Sequence, residues 1–137
     1  MKEKILSETS ARKMLDSSFF SPGSIAVIGA SSDTNKLGFI VLKNIIQYGF
    51  KGKVYAVNPN ICTVLNLVSY PKVTDIPDKV DMAIIVTPSK TVPEIMNDCG
   101  LKGIKGVVII SSGFILFSTK LSAILVETIF TNSVSSL

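Results

Sequence analysis

Four short apolar runs rich in β-branched residues punctuate the chain: SIAVI at 24–28, KVYAV at 53–57, DMAIIV at 81–86 and GVVII at 106–110. Unbroken runs of this kind suit strands buried on both faces of a parallel sheet better than the alternating pattern of a half-exposed one. Between the first two lies 36–48, where Leu37, Ile40, Val41, Ile45 and Tyr48 fall near helical spacing and Gly49 supplies a stop. The segment 89–100 predicts a second helix with Val92, Ile95, Met96 and Cys99 on one side and Pro93 in its first turn, where proline is tolerated. A last helix is predicted over 118–130 from the recurrence of Leu121, Ile124, Leu125, Thr128 and Ile129. Strands alternating with helices make the expected fold α/β: a single Rossmann-like domain with a parallel sheet and helices on both faces.

Composition narrows this picture. At 137 residues, 47% of them apolar and 18% charged, the chain suits one folded domain with a buried core. The net charge of +4 favours an anionic partner. Its basic residues are scattered, among them Lys36, Lys43, Lys51, Lys53, Lys102 and Lys105, so no nucleic-acid arm is expected. Cys62 and Cys99 have no metal-ligand spacing, and the absence of histidine disfavours a zinc site or a His-based catalytic device. The first 20 residues are charged and helix-like, without the apolar core of a secretory signal. The most apolar stretch, 114–130, falls short of the roughly 20 residues of a membrane span and carries Lys120 and Glu127, so a cytoplasmic protein that does not engage a membrane is expected.

In an open parallel sheet, ligands bind beyond the carboxyl ends of the strands, so the loops after the four runs are where chemistry is expected. The first reads Gly29-Ala30-Ser31-Ser32-Asp33-Thr34-Asn35-Lys36-Leu37-Gly38 and leads into a helix. Gly29 permits a sharp turn, the helix start presents free N–H groups to an anion, Ser31 and Ser32 add hydroxyls, and Lys36 adds a cation. Gly38 permits close approach of the helix, while Asp33 opposes an anion and should point outward or cap the helix. The spacing is not G-x-G-x-x-G. The second loop, Val57-Asn58-Pro59-Asn60, lacks the carboxylate that usually holds the ribose of NAD. The third is Val86-Thr87-Pro88-Ser89 and the fourth Ile110-Ser111-Ser112-Gly113-Phe114.

Taken together, SIAVIGASSDTNKLG, GFKGKVYAVNPN and SYPKVTDIPDKVDMAIIVTPSKTVPEIMNDCGLKGIKGVVIISSGF resemble the coenzyme A-binding domain of ADP-forming acetyl-CoA synthetases and, more distantly, the succinyl-CoA synthetase alpha subunit. The resemblance runs from about 19 to 114, with a helical segment at 1–18 before it and a divergent helix or tail at 115–137 after it. It implies that CoA or acyl-CoA lies across the strand ends, with its phosphates near Gly29, Ala30, Ser31, Ser32, Lys36, Leu37 and Gly38. Asn58 and Pro59 would line the nucleotide side, Val86, Thr87 and Pro88 would form the third binding loop, and Ile110, Ser111, Ser112 and Gly113 would lie near the pantetheine arm.

Two positions depart from the family pattern: Asn60, where these domains often have Lys, and Asn66, where Gly commonly stands. The synthetases pass phosphate through a histidine in a second domain and bind nucleotide in a grasp domain. This sequence carries no histidine, so the resemblance implies a CoA-binding module rather than a complete ligase, or a subunit acting with synthetase chains that carry the histidine and grasp domains. An NAD(H)-binding sensor on the same fold is the remaining alternative.

Overall fold

β1 (Ser24–Ile28) is the central strand, buried along its whole length. β2 (Lys53–Val57) pairs with it in parallel on one side and β5 (Met82–Ile85) on the other. β4 (Leu67–Tyr70) continues the parallel order beyond β2, and β6 (Gly106–Ser111) continues it beyond β5. The computed structural model describes residues 21–111, 114–118 and 126–129. At the edges the sheet turns antiparallel: β3 (Thr63–Val64) joins β4, while β7 (Phe114–Ser118) and β8 (Val126–Ile129) follow β6, in the order β3-β4-β2-β1-β5-β6-β7-β8.

Alternation along the strands divides the core between two helices. Ala26 and Ile28, Tyr55 and Val57, Ala83 and Ile85, and Val107 and Ile109 share one cluster with Val73, Ile76, Val80 and Cys99, the last from α2 (Val92–Lys102). Val27 and Ala56 project to the other face and pack with Leu42 of α1 (Leu37–Gln47). The helices thus cover opposite faces, as the strand pattern implied, because period-two alternation sends successive apolar residues to opposite sides.

The predicted helix 36–48 is observed as α1. The segment 89–100 begins with a single 3₁₀ turn, Ser89–Thr91, and runs as α2 to Lys102 with Pro93 in its first turn. The helix expected over 118–130 is corrected. Val126–Ile129 is a strand paired antiparallel with Phe114–Ser118, with Phe117 opposite Glu127. Helical spacing of apolar residues was the wrong reading there: VETI is rich in β-branched residues, and an open sheet edge supplies a backbone partner that periodicity does not register. The segment 1–18 lies outside the described residues.

The amino ends of the strands are stitched by side chains. The Gly23 N–H donates to Asp81 Oδ2 at 2.8 Å, the Ser24 hydroxyl donates to the Lys79 carbonyl at 3.0 Å, and the Asp81 N–H donates to Ser24 Oγ at 2.9 Å. Tyr55 donates its hydroxyl to Asp78 Oδ2 at 2.7 Å, and Lys53 Nζ reaches the same oxygen at 3.3 Å. Among the described residues no helix is long and apolar enough to cross a membrane, and no group of three or more Cys, Asp or Glu side chains could hold a metal ion.

Candidate functional site

The loop after β1 is shaped by close approach. Gly29 has a φ of 94°, and a Cβ there would collide with the Val86 carbonyl at the end of β5. A Cβ on Gly38, in the first turn of α1, would collide in turn with the Gly29 carbonyl. The helix therefore starts directly against the end of the central strand, and the backbone N–H groups of its first turn open beside that strand end. Gly29 and Ala30 both donate to the Val57 carbonyl, at 2.9 and 3.3 Å, and the Val86 N–H donates to the Ile28 carbonyl at 2.7 Å, so β1, β2 and β5 stay locked together up to the loop.

Asp33 is exposed, as one branch of the expectation had it, and does not cap α1. Its Oδ1 accepts the Asn35 N–H at 3.0 Å, its own N–H donates to Ser31 Oγ at 3.1 Å, and its carbonyl accepts the Lys36 N–H at 3.1 Å. It builds the turn that delivers Lys36 to the helix start. Lys36 has extended backbone there and enters no ion pair among the described residues.

Asn58 ties the second loop to its neighbours. Its Nδ2 donates to the Ala30 carbonyl at 2.7 Å, its Oδ1 accepts the Asn60 N–H at 2.8 Å, its N–H donates to the Tyr70 carbonyl at 2.9 Å, and its carbonyl accepts the Ser69 hydroxyl at 3.1 Å. The ends of β1, β2 and β4 are held by this one residue. In the third loop the Thr87 Oγ1 is buried and has no hydrogen-bond partner among the described residues, a state that is costly for a hydroxyl and that a bound polar group would relieve.

These loops border a cleft of about 480 Å³, a volume typical of small-molecule sites. Of the residues singled out in the sequence, Gly29, Ser31, Lys36, Asn58, Pro59, Val86, Thr87 and Pro88 line it. Ala30 is buried beneath, presenting its carbonyl to Asn58, and Gly38 is buried in the helix–strand contact. Ser32 and Leu37 are exposed outside the lining. Ile110 is half-buried and Ser111 buried at the end of β6, its hydroxyl without a partner among the described residues, neither of them in the cleft wall, and Ser112 and Gly113 lie outside the described residues.

The rest of the wall comes from elements that the sequence reading did not assign to a site. Pro71, Lys72 and Val73 follow β4, and Thr91, Glu94, Ile95 and Asp98 come from the start and inner face of α2. The charged lining residues are thus Lys36 and Lys72 on the strand side and Glu94 and Asp98 on the helix side. Lys72 Nζ stands 4.0 Å from Glu94 Oε1. Cys99, next to Asp98 in sequence, is fully buried, and burial pushes its thiol up to about 12, so it is an inert core residue rather than a nucleophile of the cleft.

Comparison with known proteins identifies the family of the domain. The family described as CoA binding domain matches residues 23–130. The acetate–CoA ligase [ADP-forming] II of Archaeoglobus fulgidus is 58% identical over 95 residues, covering 69% of this chain and 14% of the ligase. The alpha subunit of the acetate–CoA ligase [ADP-forming] I of Pyrococcus furiosus is 48% identical over 99 residues, covering 69% of this chain and 21% of the subunit. Among solved structures, the dinucleotide-forming acetyl-coenzyme A synthetase 1 of Ca. Korarchaeum cryptofilum, in complex with phosphate and ADP, superposes with a TM-score of 0.67 at 51% identity, covering 70% of this chain and 21% of the synthetase. The chain spans about a fifth or less of the length of these relatives.

Proposed function

The chain belongs to the CoA binding domain family, and from that premise we propose that its cleft holds coenzyme A or an acyl-CoA as a substrate, with the diphosphate at the start of α1. The observation that carries this reading is the double glycine contact: Gly38 against the Gly29 carbonyl and Gly29 against the Val86 carbonyl leave no room for side chains where an anion would meet backbone N–H groups. Lys36 adds a cation at the same corner, and Asn58 with Pro59 forms the wall for the nucleoside. The orphaned Thr87 hydroxyl supports a polar group of the ligand on the β5 side. The second loop, Asn58-Pro59-Asn60, has no carboxylate for a nicotinamide dinucleotide's ribose, which favours coenzyme A over NAD(H).

The role that follows is a coenzyme A-binding module, working with synthetase chains or segments that supply phosphoryl transfer and nucleotide binding. Support comes from the names of the relatives, ADP-forming ligases and an alpha subunit, of which this chain spans the smaller part. The test is calorimetric titration of the folded chain with CoA and, in parallel, with NADH. CoA should bind, and Lys36→Ala should weaken it by about 1.5 to 3 kcal/mol, the range for a hydrogen bond to a charged group. A folded chain that ignores millimolar CoA, or one that binds NADH tightly and CoA not at all, overturns the reading.

A further inference from the structure

The two lysines of the cleft follow different strands. Lys36 follows β1 and Lys72 follows β4, with β2 between them in the sheet. Neighbouring strands lie about 4.8 Å apart, so the ends of β1 and β4, from which the two lysines are led into the cleft, are separated by about 10 Å. Between them β2 and the loop after it offer Val57, Asn58, Pro59 and Asn60, none charged, and the Asn58 amide is already engaged on both its oxygen and its nitrogen. Such a wall suits a ligand with two separated anionic groups and an uncharged body between them.

Lys72 is presented from a fixed base. Its N–H donates to Asp75 Oδ2 at 3.0 Å, its carbonyl accepts the Asp75 N–H at 3.0 Å, and the next residue, Val73, is only 2% exposed in the core. The side chain itself is 58% exposed, and its Glu94 partner, 77% exposed, stands at the 4.0 Å limit of an ion pair. Pairs this open contribute little, so the ammonium is available to a stronger anion. A phosphomonoester, with three acceptor oxygens and close to two negative charges, is such an anion.

Resting on the coenzyme A reading above, we infer that Lys72 is the specificity-determining residue for the 3′-phosphate of coenzyme A, exchanging Glu94 for that phosphate when the ligand binds. The diphosphate then lies at the α1 corner, the adenosine passes along Asn58, Pro59 and Asn60, and the separate phosphate on its ribose reaches the end of β4. Glu94 acts as a competitor, holding the lysine in the empty cleft and repelling the phosphate.

Titration of the full chain with CoA and with 3′-dephospho-CoA tests this. The unmodified chain should prefer CoA by about tenfold, the equivalent of one partly solvated charge-assisted contact. Lys72→Gln should abolish that preference by weakening CoA about tenfold more than dephospho-CoA, Lys72→Arg should keep it, and Lys36→Ala should weaken both ligands by the same factor. Glu94→Gln should strengthen CoA alone. Unfolding midpoints equal to that of the unmodified chain establish that the variants are folded. Equal binding of the two forms by the unmodified chain, or equal loss of both in Lys72→Gln, overturns the inference and leaves the coenzyme A reading standing. A folded, unmodified chain that binds neither form removes both.

Discussion

At Gly29 the backbone turns through a left-handed φ with the Val86 carbonyl occupying the space where a side chain would begin. Alanine there combines the left-handed penalty of about 1 to 2 kcal/mol with a collision against backbone that cannot step aside, so Gly29→Ala should destabilise the chain by about 2 to 4 kcal/mol. Urea unfolding checks the figure, and a loss under about 1 kcal/mol would show that the strand ends can part. The residues of this corner were legible in the sequence because they are contiguous: a glycine at a strand end, small polar residues, then a lysine and a helix. Lys72, Glu94 and Asp98 were not, since each belongs to a stretch that reads as an ordinary solvated surface and meets the others only when α2 packs over the turn after β4. Asn66 was legible only as an oddity. Its φ of 64° shows why an asparagine can stand where related domains have glycine, since asparagine tolerates the left-handed region better than other side chains.

The β3–β4 hairpin turns in two residues, Leu65 and Asn66, both with positive φ. That is the turn for which Asn-Gly is the strongest sequence signal, and Leu-Asn conceals it. Leu65 is 37% exposed, so little packing opposes a change. Leu65→Asn should therefore raise stability by about 0.5 to 1 kcal/mol, visible as a higher thermal midpoint, whereas an unchanged or lower midpoint would mean the leucine is held by more than its exposed surface suggests. The helices α1 and α2 were readable because long amphipathic periods survive without knowledge of neighbours. The strands at Phe114–Ser118 and Val126–Ile129 were not, because their apolar residues suit either period and only a neighbouring sheet edge, that of β6 for the first and of β7 for the second, selects the extended form.

Across the whole molecule the two ends of the sheet do different work. The carboxyl end holds the cleft, while the amino end is fastened by the Tyr55 hydroxyl and Lys53 converging on Asp78. The hydrogen bond from Tyr55, then that from Lys53, holds the Asp78 carboxyl below its ordinary value, and burial first, then Asp78, pushes the Tyr55 hydroxyl up to about 12. A carboxylate depressed by folding stabilises the native state above the ordinary value near 3.9 and loses that contribution as pH falls through its own lower pKa. Asp78→Asn should thus be less stable than the unmodified chain at pH 7 and 5, with the gap closing below about pH 4. A gap independent of pH, read from urea midpoints, would assign the loss to packing instead. At the other end, the side-chain amide of Asn58 joins the loops after β1 and β2, and the residue that follows it is Pro59. Deamidation of asparagine begins when the next residue's backbone nitrogen attacks the side-chain carbonyl carbon and sheds a proton on closing a succinimide. Proline has no such proton to give. The residue that holds three strand ends together is thus shielded from that route of chemical ageing.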